Sequence, residues 1–347
     1  SRNQRSTYFK ESRDRTLETR VRGLLTGQTL KPVAQCQGAD RLEGIERYGY
    51  RSFERSWVAA DARVGDYPRP DLWATRSNEQ IFLGTLTSTK LGRGPALVAT
   101  PYVPDLDFFR GSYGAKNIVP LWRNAAATEP NLSRGVRETL EGVLGTVDPD
   151  GPFAYIYGLA GTPAFTDTFS GPLSEQKGHI RVPITKDRGL FDEVVEFGRR
   201  LLCWHSFGER YTKEDAAGSA KVLIPITGRP DRFAFDIGKR ELTVGVGKVS
   251  DVSSEVWSFE VSGLKVLQSW LENRSASGSG RTSSPLDAIR YQEWEFTEEL
   301  LLVIQILQHT VDATPQAQEL LDRVLAGEVF VASDLPQPTD AERSAPR

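Results

Sequence analysis

Phe153, Ile156, Tyr157 and Ala160 recur at the i, i+3, i+4, i+7 spacing of one helix face, which predicts a helix over this stretch. Gly161 and Pro163 then stop it, and Phe165 with Phe169 predicts a second short helix. Val194, Phe197, Leu201 and Trp204 share a face of a longer helix from Leu190 to Trp204. Its Asp192 and Glu193 lie near the start, and Arg199, Arg200 and His205 toward the end, the charge order a helix dipole favours. A further helix begins within Val261–Leu271, and Leu, Ile and Val spacing predicts two closing helices, Thr297–Thr310 and Gln316–Leu325.

Strand character concentrates in two regions. In the N-terminal half, Tyr50–Val58 alternates as a half-buried strand, and Gln80–Gly84, Pro95–Thr100 and Asn117–Trp122 follow as apolar, β-prone runs. Later, Lys221–Ile226, Arg232–Asp236, Glu241–Val246 and Val256–Val261, separated by Gly, Pro and Asp turns, predict a small antiparallel sheet. The fold class expected is α+β: a β-rich N-terminal lobe followed by a lobe of helices around a small antiparallel sheet. Residues 1–48 form a basic leading segment, 49–150 the β-rich lobe, 151–331 the helical and sheet lobe, and 332–347 a Pro-, Asp- and Ser-rich disordered tail. Residues 124–150 are polar and punctuated by Gly and Pro, and the lobe boundary falls at Val147–Pro152.

Composition narrows the class without naming it. With 347 residues, 39% hydrophobic and 26% charged, the chain has room for two core-forming lobes. The longest apolar run, Leu300–Ile304, is far short of the roughly 20 residues that span a bilayer, and the polar N-terminus does not read as a signal peptide. A cytoplasmic protein without membrane contact is expected. Cys36 and Cys203 read as free thiols, and His179, His205 and His309 are too scattered for a zinc site. Methionine is absent, as expected of a fragment of biased composition or of a chain whose modified methionines go unwritten. The net charge of −3 hides a gradient: residues 1–60 carry 12 Lys and Arg against 7 Asp and Glu, the remainder 31 against 39. A basic start is compatible with a nucleic-acid partner, for which a local positive face matters more than the total.

Catalytic signatures are missing. No Asn/Asp-Pro-Pro-Tyr/Phe stretch, Walker-type phosphate loop or Gly-x-Ser-x-Gly elbow is present. Gly158 with Gly161, and Gly245-Val246-Gly247, are too short to be cofactor fingerprints. Asp105 and Asp107 in "PDLDFF" read as turn-shaping residues, and His205 as an end-of-helix residue. A metal-using enzyme built on Asp105, Asp107 and His205 is a weaker third reading. Arg51, Arg55, Arg69 and Arg76 have two readings of equal standing, phosphate contacts or surface pairs with Glu54, Asp66, Asp71 and Glu79.

Four stretches together resemble a known family. They are "YRSFERSW" at 50–57 with "YPRPDLWA" at 67–74, the "VPDL…F…G…PL" frame across 103–121, "FAYIYG…PAF…F" at 153–169 with "RVPI" at 181–184, and "EVWSFEVSGLKV…SWL…SSPLD" across 255–287. The chain thereby resembles the target-recognition region of type ISP and related single-chain restriction-modification enzymes, with Ser52 and Glu54 standing where the family has Pro and Asp. The resemblance implies a non-catalytic DNA sequence-recognition module that follows a methyltransferase domain. Its implied partners are double-stranded DNA and methyltransferase and helicase-nuclease domains, in cis or in trans. No cofactor is implied on this chain, S-adenosylmethionine belonging to the methyltransferase. Within that reading the Gly-rich loop offers Arg110, Tyr113 and Lys116 to bases or the groove, and Arg51, Arg55, Arg274 and Arg281 to phosphates. A plain Gly-rich hairpin is the alternative for the loop, and a linker the alternative for the Ser/Gly stretch around Arg281. A protein-docking module touching DNA little is the alternative for the whole, favoured by the acidic C-terminal part.

Overall fold

The computed structural model describes residues 7–9, 11, 16–65, 67–87, 89–111, 117–175, 180–211, 218–276 and 291–344. The chain opens with β1 (Val21–Arg22) paired to β2 (Thr29–Leu30), then a hairpin of β3 (Ile45–Arg51) and β4 (Glu54–Ala59), and a short helix α1 (Pro70–Ala74). A three-stranded antiparallel sheet follows, β5 (Phe82–Thr85) central between β6 (Val98–Thr100) and β7 (Asn117–Pro120). Helices α2 (Arg134–Leu144), α3 (Gly151–Ala160), α4 (Pro163–Thr168), α5 (Ser170–Glu175) and α6 (Arg188–His205) come next. Strands β8 (Lys221–Ile224), β9 (Phe233–Asp236), β10 (Glu241–Val244) and β11 (Gly247–Ser250) form a second sheet in the order β8-β11-β10-β9. The rest is α7 (Ser254–Ser258), β12 (Glu260–Val261) paired with β13 (Leu264–Lys265), α8 (Val266–Arg274), α9 (Thr297–Ala326) and α10 (Asp340–Arg343). The α+β class, β-rich first and helical later, is the one the patterning predicts.

Two cores organise these elements. One joins the three-stranded sheet (Leu83, Leu97, Ala99) to α3, α4, α6 and the C-terminal half of α9 through Tyr155, Phe165, Phe191, Leu320 and Leu321. The other joins the four-stranded sheet (Leu242, Val244, Val249) to α7, α8 and the N-terminal half of α9 through Val256, Trp270, Leu300 and Leu307. A smaller cluster packs Trp73, Val103 and Phe82 under the β3–β4 hairpin. Because the first core draws on residues from both sides of position 150, the β-rich and helical lobes share buried surface. Helices α3 and α6 meet almost backbone to backbone: a Cβ added at Gly158 would lie 2.6 Å from the Val194 carbonyl, and one at Gly198 would collide with the Ala154 carbonyl. Glycine at both positions is what lets the two axes approach.

Several elements depart from the sequence expectation for identifiable reasons. The stretch 50–58 is a reversal as well as a strand: Phe53 takes a left-handed φ of 59° and is 1% exposed, so the chain folds back at Ser52–Phe53. The closing helices are one continuous 30-residue helix running through Pro315. Pro removes one backbone hydrogen bond and crowds the preceding turn, at about 3 kcal/mol, but buried residues on both sides, Leu307 and Thr310 before it and Ala317 and Leu320 after it, hold the helix in register. Thr314 Oγ1 also donates to the Thr310 carbonyl, 2.9 Å away. In the second sheet the fourth strand is Gly247–Ser250; Val256 lies in α7, because the Ser253 hydroxyl caps the Val256 amide and starts a helical turn. The 124–150 stretch contains α2, capped by Ser133 and burying Leu140 and Leu144. Finally, residues 332–344 are ordered by contacts: the Thr339–Glu342 capping box starts α10, and Arg123 donates to the Glu342 and Ser344 carbonyls.

Candidate nucleic-acid interface

The β3–β4 hairpin tip and the 101–111 loop form one fixed unit. Gly49 bonds the loop on either side of Pro104, its N–H donating to the Val103 carbonyl at 3.1 Å and its carbonyl accepting the Asp105 N–H at 2.7 Å. The Ser52 hydroxyl donates to the Phe109 carbonyl at 2.5 Å. Arg51 Nη1 donates to Asp105 Oδ1 at 2.7 Å while its guanidinium lies 4.0 Å from the Tyr50 ring centroid. The Asp107 amide caps the same carboxylate at 2.9 Å. From the opposite side, Arg69 Nη1 donates to the Pro104 and Asp105 carbonyls at 3.1 and 3.0 Å. Asp105 is thus the knot at the base of the loop, a structural acid held by a cation and an amide.

Arg55 and Arg274 are committed to the junction between the hairpin and the helices. Glu54 is buried and accepts from Arg274 Nη1 at 2.6 Å and Asn273 Nδ2 at 3.0 Å. Burial holds the Glu54 carboxyl above its ordinary range, and the Arg274 charge opposes that rise. The Arg274 guanidinium stacks 3.8 Å from the Trp270 ring centroid. Arg55 reaches Glu299 at the start of α9 and Glu209, both at 2.9 Å, and lies over the Phe207 ring. Tyr102 also bonds to Glu209. Of the residues the sequence offered to phosphates, Arg51, Arg55 and Arg274 therefore have carboxylate partners within the fold, and Arg281 lies outside the described residues. Arg110 is half-buried at the end of the 101–111 loop with no hydrogen-bond partner for its Nε among the described residues, and Gly111 follows at φ 87°. Tyr113 and Lys116 lie outside the described residues.

His205 serves the interior. Its ring is fully buried between Tyr157 and Thr310, and the protons can be placed by following donors. The Ala99 amide donates to the Tyr157 oxygen at 3.0 Å, so the Tyr157 hydroxyl gives its proton to His205 Nδ1 at 2.5 Å. Nε2 then carries the hydrogen and donates to Thr310 Oγ1 at 2.8 Å, which donates to the Ile306 carbonyl at 2.7 Å. Every group in the chain is satisfied with a neutral imidazole, and burial depresses the His205 pKa to about 3. Asp105 and Asp107 share none of these contacts, so the three residues of the enzyme reading have separate structural roles. Among the described residues no cluster of three or more His, Cys, Asp or Glu is arranged to hold a metal, and no helix is long and apolar enough to cross a membrane.

Sequence reasoning did not single out Glu209, Arg210 or Glu299. Arg210 donates to the Gln80 and Ser77 carbonyls at 3.1 and 3.2 Å, bracing the end of α6 against the first sheet. Only Glu299, an acid in the first turn of an amphipathic helix, carried a local signal.

The profile of the type ISP C-terminal specificity domain family matches residues 2–302. The chain belongs to that family. Among solved structures, the specificity domain is similar to part of the DrdV–DNA complex, with a TM-score of 0.56 and 14% identity over 84% of this chain and 29% of that one. It is also similar to part of the ATP-dependent type ISP restriction-modification enzyme LlaBIII bound to DNA, with a TM-score of 0.54 and 16% identity over 85% of this chain and 19% of that one. A nuclease-deletion mutant of the type ISP enzyme LlaGI in complex with a DNA substrate mimic matches with a TM-score of 0.49 and 15% identity, over 83% and 21% of the two chains. At these identities the likeness is one of fold, and the specificity domain spans less than a third of each of those chains. No curated protein matches its sequence.

Proposed function

We infer that this specificity domain is the DNA sequence-recognition module of a type ISP-like restriction-modification enzyme. It selects the site at which an adenine-N6 methyltransferase and a helicase-nuclease, joined to it in cis or in trans, act in the cytoplasm. The family match across residues 2–302 carries the reading, and the fold shared with DrdV and LlaBIII in their DNA complexes supports it. The module grips phosphates for register and presents side chains to base edges, where one good bidentate contact discriminates by about 1–3 kcal/mol. Arg110, Tyr113 and Lys116 are the proposed base or groove contacts, and Arg110 lies at the end of the loop that Asp105 and the hairpin anchor. Arg281 is kept as a proposed phosphate contact. The proposal places S-adenosylmethionine on the methyltransferase and no cofactor on this chain.

The test is an anisotropy titration of the chain against a random-sequence duplex pool at low and near-physiological salt, with the bound fraction sequenced. An enriched motif of several base pairs and a steep salt slope are expected. Absence of binding even at low salt would overturn the reading in favour of a protein-docking module.

A further inference from the structure

We propose that one end of the four-stranded sheet, built from the 227–232 loop and the β10–β11 turn, contacts the DNA phosphate backbone through Arg229 and Arg232. The inference rests on the DNA-recognition reading above.

The loop is placed by its own backbone. Phe233 pairs with Val244, and the Gly245 amide donates to the Arg232 carbonyl at 3.0 Å, tying the loop to the turn. Gly245 takes a left-handed φ of 59°, and a Cβ there would come within 3.2 Å of Pro230. Pro230 is buried, and its carbonyl accepts the Ala276 amide at 2.7 Å, clamping the loop from the end of α8. A loop held on two sides loses little conformational freedom on binding.

What the loop presents is two guanidinium groups that flank one carboxylate, Asp231. Arg229 and Arg232 are both exposed, and among the described residues neither makes an ion pair or a side-chain hydrogen bond. Asp231 between them has an interaction of its own. On the outer face of the same sheet Lys248 is spent on Glu241 at 2.6 Å. Exposed apolar side chains on the same sheet are Val246 on the turn, 68% exposed, and Leu223 and Ile224 on β8, where Ile224 pairs with Lys248 of β11. Two guanidinium groups on a rigid support, with their donors unspent, suit phosphate oxygens, which they bind through forked, charge-assisted hydrogen bonds. No buried polar contact fixes either side chain in one orientation, so the pair reads charge and not base sequence.

The experiment is the salt dependence of duplex binding by the full chain, comparing wild type, the Arg229→Ala/Arg232→Ala double variant and the Arg229→Lys/Arg232→Lys variant. Thermal melts run alongside. Each lost phosphate contact removes roughly one unit from the slope of log K against log salt, so the alanine variant is expected to flatten it by about two units. The lysine variant is expected to retain the slope, and all three proteins to enrich the same motif with the same melting temperature. If wild type binds and the alanine variant keeps the wild-type slope and affinity, the proposal falls while the DNA-recognition reading stands. A changed motif at an unchanged slope would also overturn it, making the arginines base readers. Failure of wild type to bind DNA would remove the parent reading and this proposal together.

Discussion

The hairpin junction and the far end of the second sheet use the same residue type for opposite purposes. At the junction, Arg51, Arg55 and Arg274 face Asp105, Glu299 with Glu209, and Glu54, all within the fold. At the sheet end, Arg229 and Arg232 face solvent from a loop locked by Gly245 and Pro230. The difference teaches that an arginine's role is set by whether the fold supplies its carboxylate. A guanidinium beside a buried acid supports the fold, whereas one on a rigid exposed loop remains available to an outside anion.

The comparison breaks most sharply at Arg274. Replacing it with Ala strands the Glu54 carboxylate in the interior and is expected to cost about 3–5 kcal/mol near neutral pH, read by urea unfolding. The loss should shrink as pH falls, because Glu54, already held above the ordinary carboxylate range by burial, then takes up a proton and needs no cation. A second consequence concerns His205, which shares the junction through its edge contact with Phe53. Its folded pKa of about 3 lies below the ordinary 6.5, so its contribution is present above about pH 6.5 and lost as pH falls toward 3, where the unfolded state binds the extra proton. Unfolding free energy should therefore decline by up to about 3 kcal/mol by about pH 4, visible as a falling urea midpoint. Arg55→Ala, which removes charged hydrogen bonds from the partly exposed Glu299, should cost about 1.5–3 kcal/mol in the same assay. At the other end of the scale, the Arg229→Ala/Arg232→Ala variant should unfold within about 0.5 kcal/mol of wild type.

Local pattern carried much of this architecture. Helix α3 could be read from Phe153, Ile156, Tyr157 and Ala160, and its end from Gly161 and Pro163, because those signals lie within one or two turns of the chain. The reversal at Ser52–Phe53 was invisible, since a buried Phe in a left-handed conformation depends on the pocket formed with His205 and Phe259. Continuity of α9 through Pro315 was likewise hidden, because distant packing outweighs the local penalty. The fate of the arginines lay furthest from view: Glu54 and Arg274 are 220 positions apart, and no window on the sequence pairs them. Family resemblance found the segments that carry Arg51, Arg55 and Arg274. Only the folded chain shows that all three have carboxylate partners within it, whereas Arg229 and Arg232, passed over in the sequence, have none among the described residues.

The division between internal and outward arginines is tested most directly by measuring two quantities for two variants: unfolding free energy, and the slope of log K against log salt for duplex DNA. Arg274→Ala is predicted to lower the first and leave the slope of its folded fraction unchanged, whereas Arg229→Ala/Arg232→Ala is predicted to flatten the slope and leave stability unchanged. A flattened slope with intact stability for Arg274→Ala, and no change in either quantity for the loop variant, would contradict the account.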